Sequence, residues 1–233
     1  MKKIVLIVIS ILLVSSCLSL GSPLRAQTPA DQQYADSLPA NVALQVENET
    51  VPMDVFNRRV ESLLESYKKN ADKKGQKYDS DKVRDRLQQK VKNRIVSRLV
   101  LKIYAERSDV TVPDEKIQKK LDRAIQKAGS REKFKDNLEE KGSSIDDVRN
   151  SIRKNLRIER YVRENIPEVT VSDTEIQEIY LNNKDQFQQV SAKRAYRFIK
   201  RRLHRKKENH ASKVLVGKLK EKSDIRLHPS LRE

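Results

Sequence analysis

The chain has 233 residues, of which 36% are apolar and 36% charged, with no Trp, five Gly and a net charge of +17. This composition suits long solvated helices over a thin core and argues against a compact sheet enzyme, while the single cysteine excludes a disulfide framework and thiol chemistry in the folded part. The charge is unevenly spread: residues 190–233 carry 15 basic and 4 acidic side chains, whereas residues 27–189 carry 32 and 29. Any partner chosen by charge is therefore expected at the C-terminal end.

Lys2 and Lys3 precede an apolar run over residues 4–14, too short to span a bilayer and ordered like a secretory signal peptide, so the protein is expected to be exported to the periplasm. Two processing routes are open. Val14-Ser15-Ser16-Cys17 resembles a lipobox, which makes residues 1–16 a lipoprotein signal and Cys17 the lipidated residue. Plain cleavage after Gly21 makes residues 1–21 the signal, or the cut falls after Ala26. Residues 22–40, with Pro23, Pro29 and Pro39 among small and polar residues, read as a flexible leader.

Val42, Leu44 and Val46 alternate with Ala43, Gln45 and Glu47, which predicts a half-buried strand turning at Glu47-Asn48-Glu49-Thr50. Asp54 is placed to cap a helix carrying Phe56, Val60, Leu63, Leu64 and Tyr67 and ending near Asn70. A long helix follows, with Val83, Leu87, Val91, Ile95, Leu99 and Ile103 every four residues and Val96 and Val100 beside them. That slowly drifting band can meet more than one partner helix.

Thr111-Val112-Pro113-Asp114-Glu115-Lys116-Ile117 recurs 59 residues on as Thr170-Val171-Ser172-Asp173-Thr174-Glu175-Ile176. The second copy predicts a capping box between Ser172 and Glu175; in the first, Pro113 presets φ and Asp114 and Glu115 favour the positive end of the helix dipole. Between them, Phe134 and Leu138 mark a short helix, and Ser144 starts one running to Pro167. Beyond Phe187, the period-two positions Val190, Ala192, Tyr196 and Phe198 suggest a strand. A basic loop, a last helix with Ala211, Val214, Leu215 and Leu219, and a closing strand at Asp224-Ile225-Arg226-Leu227 complete the chain.

The segment Val42-Ala43-Leu44-Gln45-Val46-Glu47-Asn48-Glu49-Thr50-Val51-Pro52-Met53-Asp54-Val55-Phe56 resembles the opening strand, turn and helix of the SurA-type periplasmic chaperones and the related PrsA-like foldases. Both Thr-Val-x-Asp-x-x-Ile segments also fall where that family starts helices, and the similarity runs over residues 41–199. The family usually has Asn-Gly where this chain has Asn48-Glu49. The resemblance implies a mainly α fold, a SurA-like helical core with a few short strands joining the N- and C-terminal segments. Its domains are then a chaperone body at 41–199 and, over 200–233, a basic loop with a helix and strand that complete the core. The strand expected at 190–199 would lead, in that family, into a parvulin-type prolyl isomerase, yet 34 residues follow Ile199 where such a domain needs roughly a hundred.

Function read at this level is that of a holdase without ATP, shielding unfolded exported polypeptides, outer-membrane β-barrel precursors among them as in the resembled family. Client contacts are expected at Met53, Phe56, Leu63, Leu64, Tyr67, Tyr180 and Phe187, since Met and aromatic side chains adapt to varied partners. A competing reading is a membrane-surface or polyanion binder acting through residues 193–207, with Lys200, Arg201, Arg202, Arg205, Lys206 and Lys207 as its contacts. Export turns that reading toward anionic lipid and away from nucleic acid. A third is an isomerase homologue with residual activity. No catalytic residue, metal site or cofactor is expected: His204, His210 and His228 are scattered, and no Walker-type loop or Ser/His/Asp signature occurs.

Overall fold

The computed structural model describes residues 38–232, so the export segment, Cys17 and most of the leader lie outside the described residues. Strand β1 (Val42–Val46) is the centre of a three-stranded antiparallel sheet, flanked by β2 (Glu49–Pro52) and by β3 (Ile225–Leu227) from the far end of the chain. Leu44 faces Leu227, Gln45 faces Arg226 and Val46 faces Ile225. The closing strand therefore joins the C-terminal segment to the N-terminal one, as the resemblance implies.

Two local features depart from simple alternation. A register shift between Val42 and Leu44 turns Ala43 inward beside Leu44, so both are fully buried where the period-two reading set Ala43 outside. The β1 to β2 turn is made by Glu47 at a φ of 53°, a left-handed conformation that a side chain disfavours and that the Asn-Gly of related chains would adopt freely. Glu47 is held there from several sides: its amide donates to Asp224 O at 2.8 Å, its carboxylate accepts from Asp224 N and from Arg107, and its carbonyl accepts from Gln45 Nε2.

Helix α1 (Met53–Lys73) turns Phe56, Val60, Leu64 and Ala71 inward at near-fourfold spacing. It starts one residue before Asp54, which pairs instead with Arg58 at 3.0 Å within the first turn. Helix α2 (Ser80–Arg107) is capped by Asp79, whose carboxylate accepts from the amides of Asp81 and Lys82. The drifting apolar band of α2 meets α1, the sheet, α5 (Ile145–Asn165) and α7 (Ala192–Glu221), as its periodicity predicts. Within this core Lys92 is buried and donates to Leu231 O at 2.7 Å.

Helix α3 (Asp114–Ala128) lies on α5 and on the short α4 (Arg131–Glu139), enclosing Ile117 and Leu121 apart from the main core. Pro113 sits at the N-cap of α3, one residue before the first helical position. Ser144 and Asp147 form a capping box at α5. Helix α6 (Asp173–Asn182) starts on the expected Ser172 and Glu175 box, with Glu175 N to Ser172 Oγ at 3.2 Å and Ser172 N to Glu175 Oε2 at 2.9 Å.

The largest correction concerns residues 190–210. In place of a strand, a basic loop and a separate helix, one helix of 30 residues, α7, runs unbroken from Ala192. Val190, Ala192, Tyr196 and Phe198 mimic period two, but the buried positions are Ala195 and Ile199, with Leu203 half-buried beside them, at a spacing of four. The Lys, Arg and Ala run between them is made of strong helix formers with no Gly or Pro before Gly217.

Candidate binding surfaces

The client-contact residues expected from sequence divide into two places and two kinds. Phe56 and Leu64 are completely enclosed on the core face of α1, so no partner can reach them and they are corrected to core residues. Met53, Leu63 and Tyr67 are half-buried against the same core. The Tyr67 ring is already occupied, edge-on to Tyr78 at 5.5 Å and under the Arg86 guanidinium at 5.6 Å. Leu63 borders a groove of about 360 Å³ between α1 and α2, floored by Val55, Val91 and Ile95 and rimmed by Arg58, Arg59, Lys90 and Arg94.

Tyr180 and Phe187 belong to a second site, where α6, a 3₁₀ turn (Lys184–Phe187) and the first half of α7 meet. Tyr180 stacks on Phe187 at 5.9 Å and meets Tyr196 edge-on at 5.0 Å, and Phe187 meets Phe198 at 6.3 Å. Beside these rings lies a cavity of about 450 Å³ lined by Ile179, Phe187, Phe198, Ile199 and Leu203, with Asn183, Gln186, Arg202 and Lys206 at its edge. Phe198 and neighbouring Leu181 are each 48% exposed, two of the three large apolar side chains most open to solvent among the described residues. Four aromatic rings gathered without closing over one another leave apolar surface to water, which marks a contact site more often than a core. Tyr196, Phe198 and Leu203 were not in the sequence-based contact set, because a strand at 190–199 puts them on the wrong faces; the fourfold spacing of Ala195, Ile199 and Leu203 carries the signal that finds them.

The six cations expected to meet a polyanion are also not alike. Lys200, Arg201, Arg202, Arg205 and Lys206 are exposed on α7, and none forms an ion pair among the described residues. Lys207 is tied into the fold: its ammonium reaches Glu175 Oε1 at 2.7 Å and Thr170 O at 2.9 Å, pinning α7 to the start of α6. The Lys207 hydrogen bond, helped by the Ser172 amide, holds the Glu175 carboxyl below its ordinary value. A lowered carboxyl pKa contributes stability that is complete above the unfolded-state value and fades as pH falls through the folded-state value. Amide exchange in α6 should therefore speed up as pH drops below about 4.5, the ordinary Glu value, relative to α3, and Glu175→Gln should remove that difference. An α6 whose relative protection ignores both pH and the substitution would sink this assignment. Of the histidines, His204 pairs with Glu208 at 3.2 Å, and the His228 ring accepts from Ser230 N at the start of the final turn.

No curated protein matches this chain. A family model described as SurA-like N-terminal domain matches residues 1–162, reaching further toward the N-terminus and ending earlier than the resemblance read over 41–199. That match takes in the β1 turn, the α1 and α2 pair and the α3 to α5 group, more than half of the chain. With a mainly α architecture closed by a three-stranded sheet, the protein belongs to the SurA-like N-terminal domain family.

Proposed function

We propose that this protein is a holdase that shields unfolded exported polypeptides without ATP and without covalent chemistry. The observation that supports this most is the open aromatic cluster of Tyr180, Phe187, Tyr196 and Phe198 beside its cavity, which lies just beyond the residues 1–162 that match a chaperone-like family. An unfolded chain offers apolar side chains at irregular spacing together with unpaired backbone groups. Half-exposed rings give such a chain a large contact area with few torsions to freeze. Contacts of this kind are individually weak, so release needs no energy source. Clients of outer-membrane barrel type suit this site because their strands present apolar residues at alternate positions.

The test is suppression of aggregation of a denatured outer-membrane barrel protein diluted from urea, run beside a prolyl-isomerase assay. The wild-type chain should suppress aggregation near equimolar ratio and leave isomerisation at the uncatalysed rate. Phe187→Ala with Phe198→Ser should need about tenfold more protein for the same effect, since two buried ring contacts of about 1 kcal/mol or less each are lost. Its melting temperature should stay within a few degrees, because Phe198 is half-exposed and Phe187 lies outside the main core. Full suppression by the double variant would remove this cluster from the reading, and catalysed isomerisation would replace the reading altogether.

A further inference from the structure

The outward side of the first half of α7 is unlike every other helical surface in the protein. Lys193, Arg194, Arg197, Lys200, Arg201, Arg202, Arg205 and Lys206 follow one another with no acidic residue among them, and none is in an ion pair among the described residues. Elsewhere the basic side chains commonly find acids, as Arg84 does with Glu61, Lys102 with Glu49, Arg153 with Asp114 and Arg160 with Glu164. Each of α1 to α6 also carries at least one acidic residue in its first turn, whereas the first turn of α7 holds Lys193 and Arg194 and no acid. Cations at the positive end of a helix dipole, repelling one another along the same face, oppose folding. No ion pair among the described residues offsets that for these eight side chains.

Arg194, Arg197, Arg201 and Arg205 recur every three or four residues opposite buried Ala195 and Ile199, forming a convex ridge, with Lys200 on its flank. At 1.5 Å per residue, the cationic stretch from Arg194 to Lys206 is about 18 Å long. Arg194, Arg197, Lys200 and Arg201 border a solvent-open cavity of about 420 Å³, but the cationic row runs on to Arg205 and Lys206, further than one small anion reaches, so its full complement is an extended anionic surface. We infer that this ridge docks the protein onto an anionic lipid bilayer. Two observations favour lipid over nucleic acid. The aromatic rings of α7 turn toward the α6 cleft and leave the ridge without the stacking platform on which single-stranded bases bind. The amino-terminal run of Lys2, Lys3 and residues 4–14 has the order of an export signal, and an exported chain meets lipid surfaces where nucleic acid is scarce. Arginine stems on a rigid helix can lie along a surface while their guanidinium groups reach phosphate oxygens.

The experiment is sedimentation of the full chain with vesicles of phosphatidylcholine alone and of phosphatidylcholine with 30 mol% phosphatidylglycerol, at low and at physiological salt. The zwitterionic vesicles measure whatever the apolar amino-terminal run contributes, and the excess on anionic vesicles reads the ridge. Replacing Arg194, Arg197, Lys200, Arg201 and Arg205 by Gln should reduce that excess by about a hundredfold or more and flatten its salt dependence. A control with the same change in net charge replaces Lys116, Lys119, Lys127, Lys133 and Lys141 on and around α3 and α4, and should change the excess by less than about threefold. Circular dichroism confirms that both variants stay folded. Equal loss in the two variants would reduce the effect to net charge and overturn the proposal. So would an absent phosphatidylglycerol dependence, or displacement from vesicles by a stoichiometric single-stranded oligonucleotide that binds the ridge more tightly.

Discussion

Ending the chain after Lys222 will lower the melting temperature by about 10–20 °C, or remove the cooperative transition. The deleted segment supplies β3 with its pairs to Leu44, Gln45 and Val46, and two further backbone bonds, Glu47 N to Asp224 O at 2.8 Å and His228 N to Ala43 O at 2.9 Å. It also supplies Leu231, 5% exposed in the core, and the Leu231 carbonyl that accepts from buried Lys92. Uncovering Leu231 with parts of Ile225 and Leu227 removes about 3–4 kcal/mol of apolar burial, and the edge left on β1 costs about 1 kcal/mol for each backbone group that water cannot reach. The sum is of the order of the whole stability of an ordinary domain, and each kcal/mol shifts a domain of this size by about 2–4 °C. Thermal melts followed by circular dichroism would decide it. Leu231→Ala alone should lose about 2–3 kcal/mol, so an intact melt after truncation, beside a damaged one for the point variant, would show that β1 finds another partner.

That closing strand was legible because a lone half-buried strand near the start of a helical chain leaves backbone donors and acceptors unpaired, and Asp224-Ile225-Arg226-Leu227 is the alternating stretch able to meet them. The capped start of α6 was legible for a similar reason, since Ser172 and Glu175 satisfy each other within four residues and need nothing from elsewhere. The turn at Glu47 was not. Its left-handed backbone is held by Arg107 and by the Asp224 segment, partners 60 and 177 residues away. Residues 190–199 failed differently: Val190, Ala192, Tyr196 and Phe198 sit at even spacings while Ala195, Ile199 and Leu203 recur every four, so both periods were on offer, and the choice goes with α6, on which α7 packs with Tyr180 edge-on to Tyr196.

The candidate site was half legible for the same physical reason. Hydrophobic periodicity identifies the apolar face of a helix, but not whether a neighbour covers it. On α1 the sheet and α2 close over Phe56 and Leu64, while on α6, α7 and the 3₁₀ turn the rings meet chiefly one another among the described residues, so Tyr180 and Phe187 stay half-open. Residue type could not separate these cases, since an aromatic is equally at home in either.

Phe56→Ala is the substitution that separates covered from open. Phe56 is fully buried among the main-core residues of the sheet, α1 and α2, and its truncation leaves a cavity in a packed interior, expected to cost about 3–5 kcal/mol and to lower the melting temperature by about 6–20 °C. Leu63→Ala, two turns along the same helix at the edge of the α1 and α2 groove, should cost about 1 kcal/mol, because solvent already reaches the side chain and fills the space it leaves. Aggregation suppression measured well below the lowered melting temperature should be unchanged for Phe56→Ala, since the open rings on α6 and α7 are untouched. A Phe56→Ala protein with a wild-type melt and weakened capture would invert the assignment: the face of α1 would then open in solution far enough for a client to reach Phe56, and the contact surface would run through the centre of the body.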